Sequence, residues 1–91
     1  MSVVSDVATE KLVERLLNVL EKSTGGDIRV PLADAHRSLR ELGVTSVAIL
    51  NFLVAAEDEL SFEWHPDQPR ETFASIASIA RALCDSYDVT A

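Results

Sequence analysis

The sequence predicts an all-α fold: a small antiparallel bundle of three main helices plus one or two short ones, with a long loop between the first helix and the second. Three observations predict it. Apolar residues recur at helical spacing in three separate stretches. Hydroxyl residues suited to capping a helix start, Thr45 and Ser75, stand directly before two of them. The breakers Ser23-Thr24-Gly25-Gly26 and His65-Pro66-Asp67-Gln68-Pro69 punctuate the pattern in between. A chain of 91 residues with no Pro/Gly/Ser-rich linker is expected to be one domain, 1–91. Its helical core is placed over about residues 6–86. Hydrophobic residues make up 47% of the chain and charged ones 25%, which is too apolar for disorder.

The first helix is expected from Asp6 to Lys22. Leu12, Leu16, Val19 and Leu20 form its apolar stripe, Val13 and Leu17 widen it, and Glu10, Lys11, Glu14 and Arg15 lie toward solvent. From Asp27 to Gly43 the pattern is irregular. Ile28, Val30, Leu32, Leu39 and Leu42 read as anchors pinning a connector to the core, with a short helix over Ala33–Arg40. His36 is read as a surface residue of that segment, without a partner at metal-ligand spacing. The second helix is expected from Thr45 or Ser46 to Leu60, with Thr45 as N-cap. Ile49, Phe52, Leu53, Ala56 and Leu60 fall on one arc of about 100°, enough for a core stripe. Val47, Leu50 and Val54 fall on a neighbouring arc with Ser46, Asn51, Glu57 and Asp58. That second stripe reads either as a docking surface or as a widened core contact. Phe62 and Trp64 are expected to pack onto the core from a loop, and residues 67–74 to form a short helix or turn. Ser75 then caps a last helix to Ser86, with Ile76, Ile79, Ala80 and Leu83 inward.

Charge is divided unevenly. Residues 1–40 hold six acids and six bases; residues 41–91 hold nine acids against Arg70 and Arg81, so the net −7 arises entirely in the second part. Such a surface repels phosphate backbones and anionic lipid, which argues against nucleic-acid and membrane partners and favours basic proteins, although solubility alone accounts for the acidity equally well. No apolar run is long enough for a membrane span, and Met1–Asp6 has neither a basic start nor a long apolar stretch, so no export signal is expected. With the single cysteine, Cys84, read as a packing residue, a reducing cytoplasm is the expected location.

The segment Leu42-Gly43-Val44-Thr45-Ser46, at the end of a long loop and the start of a helix whose far end is acidic, resembles the Leu-Gly-x-Asp-Ser motif of acyl and peptidyl carrier proteins. Ser38-Leu39-Arg40-Glu41 is similar to the loop before that motif, and Ala55 through Trp64 to the acidic helix end and its turn. Phe73 with Ser75-Ile76 is similar to the entry of the last helix. The resemblance covers about residues 8–86 and implies a stand-alone, monomeric carrier. Ser46 then bears a 4′-phosphopantetheine arm, donated by coenzyme A through a phosphopantetheinyl transferase. The arm's thiol holds acyl or aminoacyl intermediates as thioesters in polyketide or nonribosomal peptide biosynthesis, including that of antibiotics. Partners implied are the transferase, a loading enzyme and downstream synthase or tailoring enzymes, docking on Thr45, Val47, Leu50, Asn51, Val54, Glu57 and Asp58, with Glu59 adding charge.

Two departures stand out: around the serine, Thr45 replaces the usual Asp and Val47 the common Leu, and further along, Ala48 and Asn51 leave the upper helix uncharged. Thr can cap a helix but supplies no charge for the transferase or its magnesium. The second reading is therefore a carrier-like module that lacks the arm and binds a partner through the same helix face. An enzyme is not expected, because no Ser/His/Asp set, Cys/His pair or metal cluster can be assembled from the sequence.

Overall fold

The computed structural model describes residues 3–87 and 89, with side chains from Thr9 onward. Three α-helices form, α1 Val3–Ser23, α2 Ser46–Leu60 and α3 Ile76–Ser86, with 3-10 turns at Leu32–Asp34 and Arg70–Phe73. No strand occurs among the described residues. The fold is the small all-helical bundle the periodicity predicts.

Helix α1 begins three residues earlier than expected and ends where the breakers stand. The Thr24 hydroxyl donates to the carbonyls of Leu20 (2.9 Å) and Glu21 (3.1 Å). Gly26, at a φ of 85°, returns its N–H to Glu21 O at 2.8 Å. That positive φ satisfies a carbonyl the helix leaves open, a conformation glycine adopts without a Cβ penalty.

The expected helix over Ala33–Arg40 does not form; a three-residue 3-10 turn takes its place. The backbone hydrogen bonds give the reason. A helix there would pair Leu39 N–H with Ala35 C=O. Instead Leu39 N–H donates to Ala74 O (2.8 Å) and Ala35 O accepts from Ala77 N–H (2.9 Å). Both groups are spent on holding the connector against the entry to α3; of the expected anchors Leu39 is buried and Ile28, Val30 and Leu42 pack partly buried against the core, whereas Leu32 is exposed and Ala35 is buried instead.

At α2 the Ala48 N–H donates to Thr45 Oγ1 at 3.1 Å, the cap expected of Thr45. The helix closes on Ser61, which takes a φ of 55°. At α3 Ser75 and Ser78 form a reciprocal capping box: each side chain accepts from the other's backbone N–H at 3.1 Å. The Ser78 hydroxyl also reaches Thr72 O at 2.8 Å. Residues 70–73 form the short turn expected ahead of it.

The core is built from Leu12, Leu16 and Leu20 of α1, Phe52 and Ala56 of α2, and Ile76, Ile79 and Leu83 of α3, all fully buried. The Thr9 hydroxyl donates to Cys84 Sγ at 3.7 Å, setting the start of α1 beside the end of α3, as antiparallel neighbours require. Cys84 is half-buried, as a packing cysteine should be. Phe62 and Trp64 close the bundle's side in edge-to-face contact at 4.7 Å, and Trp64 meets Phe73 at 5.0 Å and Tyr87 at 5.3 Å. The indole N–H donates to Leu53 O at 3.2 Å, so this aromatic cluster is anchored to α2 as well as to the core. The Tyr87 hydroxyl bonds Gln68 Oε1 and accepts from His65 N–H. Among the described residues no buried side-chain nitrogen or oxygen lacks a partner.

Candidate functional site

The segment leading into α2 is shaped by two needs: a turn and a cap. Leu42 N–H donates to Ser38 O and Gly43 N–H to Arg40 O, both at 3.1 Å, and Gly43 takes a φ of 85°. Val44 is then buried and ties back to Leu39 O at 3.0 Å. With Val44 anchored, the next residue swings to the surface. Thr45 adopts extended geometry and caps, and Ser46 occupies the first helical position, exposed.

The Ser46 hydroxyl makes no hydrogen bond among the described residues, in contrast to Ser75 and Ser78. The amides of the first turn have no intrahelical acceptor, and they favour negative charge there. His36 lies in the connector, and His65 stacks on Tyr87 at 4.5 Å. Among those residues no group of three or more His, Cys, Asp or Glu could hold a metal ion, and no helix is long and apolar enough to cross a membrane.

The outward stripe of α2 is open to solvent. Val47, Leu50 and Val54 are 68%, 63% and 64% exposed, whereas Phe52 and Ala56 on the same helix are at 0%. The three therefore stand apart from the core that the inward stripe builds. Asn51 and Asp58 are exposed beside them. Glu57 is half-buried and engaged, its Oε2 accepting from Trp64 N–H at 2.8 Å to hold the turn after the helix. Glu59 points to the other side and meets Arg15 and Lys22 of α1, both at 3.6 Å. Of the acids at the helix end, Asp58 alone has no ion pair or hydrogen bond of its side chain among the described residues. Val54, Asn51, Glu57 and Asp58 line a shallow groove with Phe62 and Glu63. The sequence pattern of α2 alone could not find the last two, because they reach the groove only when the chain reverses at Ser61.

On the other flank of α2 a smaller cleft of about 280 Å³ lies between the connector, Ile49 and the 3-10 turn before α3, lined by Ser38, Leu39, Arg40, Ile49, Phe73 and Ala74. The Leu39–Ala74 backbone hydrogen bond ties two of its walls together.

Compared with models of protein families, with curated proteins and with solved structures, the chain matches none.

Proposed function

We propose that this chain is a discrete acyl or peptidyl carrier protein, holding biosynthetic intermediates as thioesters on a 4′-phosphopantetheine arm at Ser46. The observation that carries the reading is the placement of Ser46: exposed, unbonded, on the first turn of α2 and directly after a buried anchor and a cap. A hydroxyl so placed is accessible to a transferase, and the helix start favours the phosphodiester that results. The arm supplies a flexible thiol; the chain supplies attachment, presentation and recognition.

Recognition rests on the outward stripe. Val47, Leu50 and Val54 offer apolar contact, Thr45 and Asn51 polar contact, and Asp58 with Glu57 and Glu63 offers negative charge to basic partners. Thr45 meets the capping requirement with its hydroxyl, so no carboxylate is needed there for folding. A transferase that modifies this chain must accept that neutral cap. The expected partners are that transferase, a loading enzyme, and synthase or tailoring enzymes of polyketide or nonribosomal peptide biosynthesis. The role needs no catalytic group in the chain itself, and a cytoplasmic location follows from the need for coenzyme A.

The test is incubation with coenzyme A, magnesium and a broad-specificity transferase, followed by intact mass and peptide mapping. A gain of one phosphopantetheinyl group on the peptide bearing Ser46 is the expected result. No gain with transferases of several pathways overturns the reading in favour of an arm-less module that binds a partner through the α2 face.

A further inference from the structure

A cleft opens where the end of α1 meets the start of α2. Asp27 and Ile28 of the connector line it together with Thr45, Val47, Ala48 and Asn51, so Ser46 stands between two of its lining residues. Among the described residues Asp27 is the one charged residue in these walls; it is exposed, and its carboxylate has no ion pair or hydrogen bond among them. The cations on either side of it in the chain are committed elsewhere, Arg29 to Glu21 at 2.9 Å and Lys22 to Glu59 at 3.6 Å. The backbone that carries Asp27 is held on both sides. Gly26 N–H donates to Glu21 O at 2.8 Å, Asp27 N–H to Thr24 O at 3.2 Å and Ile28 N–H to Thr24 Oγ1 at 3.3 Å, while Ile28 packs half-buried against the core. An unpaired carboxylate is thus presented from a preformed turn. The acids at the far end of α2 do not supply charge here: Glu57, the first of them, lies about 16 Å along the helix from Ser46, beyond the screening length of about 8 Å at physiological salt.

We propose that Asp27 is a specificity-determining residue for the modification of Ser46: its carboxylate receives a basic side chain of the transferase and so docks that enzyme at the serine end of α2. The inference rests on the carrier reading of Ser46. The first-turn amides of α2 carry partial positive charge, which opposes a cation approaching Ser46, and the neutral cap Thr45 does nothing to offset it. Asp27 is the local charge that does. Its surroundings suit a lysine or arginine, whose aliphatic stem covers Ile28 and Val47 while its charged head reaches the carboxylate. The contact sets approach and register and takes no part in the transfer itself. A transferase with a base at that place is favoured, and one with an acid there is repelled.

The experiment follows transfer from coenzyme A, by intact mass against time, for the wild type, Asp27→Asn and Asp85→Asn, with a phosphopantetheinyl transferase that loads the wild type; circular dichroism checks the fold of each. Asp85 is an exposed acid of α3 at the Thr9 end of α1, about 20 Å along that helix from the Asp27 end, so its substitution makes the same change of net charge away from the cleft. Asp27→Asn should raise KM and lower kcat/KM about three- to tenfold at low salt, with kcat within about twofold of the wild type, and the difference should shrink as salt is added. Asp85→Asn should stay within about twofold of the wild type throughout. Equal kcat/KM in Asp27→Asn and the wild type, an equal loss in both variants, or a loss confined to kcat overturns the pairing while leaving the carrier reading intact, because the wild type is still loaded. Failure of transferases from several pathways to load the wild type overturns both.

Discussion

Helices α2 and α3 both begin after a hydroxyl cap, yet the two starts are built to opposite ends. Ser75 is 8% exposed, shares a reciprocal box with Ser78, and is followed by the fully buried Ile76. Thr45 is exposed, caps singly, and is followed by the exposed, unbonded Ser46. One start is locked into the core; the other is stable enough to form and open enough to be reached. The same local signal thus serves folding in one place and access in the other, and what separates them is the residue after the cap.

The largest expected effect lies at the locked start. Ile76→Ala should cost about 2–5 kcal/mol in denaturant unfolding, as for a large buried aliphatic side chain cut to alanine, whereas Ser46→Ala should stay within about 0.5 kcal/mol of the wild type. A similar loss at both positions would erase the contrast. Next come the caps. Ser75→Ala removes a buried, reciprocally bonded hydroxyl and should cost about 1–2 kcal/mol, against about 0.5–1 kcal/mol for Thr45→Ala, read from chemical denaturation midpoints.

Those contrasts were only partly legible in the sequence. Helix positions, both caps and the inward stripes follow from periodicity and residue type, which act locally. The connector is not legible there: Ala33–Arg40 has enough helical character to suggest a helix, while the Leu39–Ala74 and Ala77–Ala35 bonds that prevent it join segments far apart in the chain. Periodicity alone does not separate the outward stripe of α2 from a wide core contact; the exposure of Val47, Leu50 and Val54 does. The acids at the helix end also looked alike in the sequence. Packing divides them: Glu59 is held by Arg15 and Lys22, Glu57 by the Trp64 amide, and Asp58 is left outward. The aromatic cluster of Phe62, Trp64, Phe73 and Tyr87 is likewise a product of tertiary folding, though the packing of Phe62 and Trp64 onto the core could be anticipated.

The smallest effects on stability are expected along the open stripe. Leu50→Ala and Val54→Asp should change unfolding free energy by no more than about 0.5 kcal/mol, as exposed substitutions do, yet slow transfer of cargo from a cognate loading enzyme. A loss of helicity in either variant, seen by circular dichroism, would place these residues in the core after all. Within the acids, Asp58→Asn should weaken the salt dependence of partner association more than Glu59→Gln, whose charge is already paired within the chain.

The most direct test of the central claim sets the two helix starts side by side in one loading assay. Wild type, Ser46→Ala and Ser75→Ala are incubated with coenzyme A, magnesium and a phosphopantetheinyl transferase, and their intact masses and melting curves are read together. The account predicts that Ser75→Ala melts earlier but still gains one phosphopantetheinyl group, while Ser46→Ala melts as the wild type and gains nothing. A mass gain on Ser46→Ala, or none on the wild type, would contradict it.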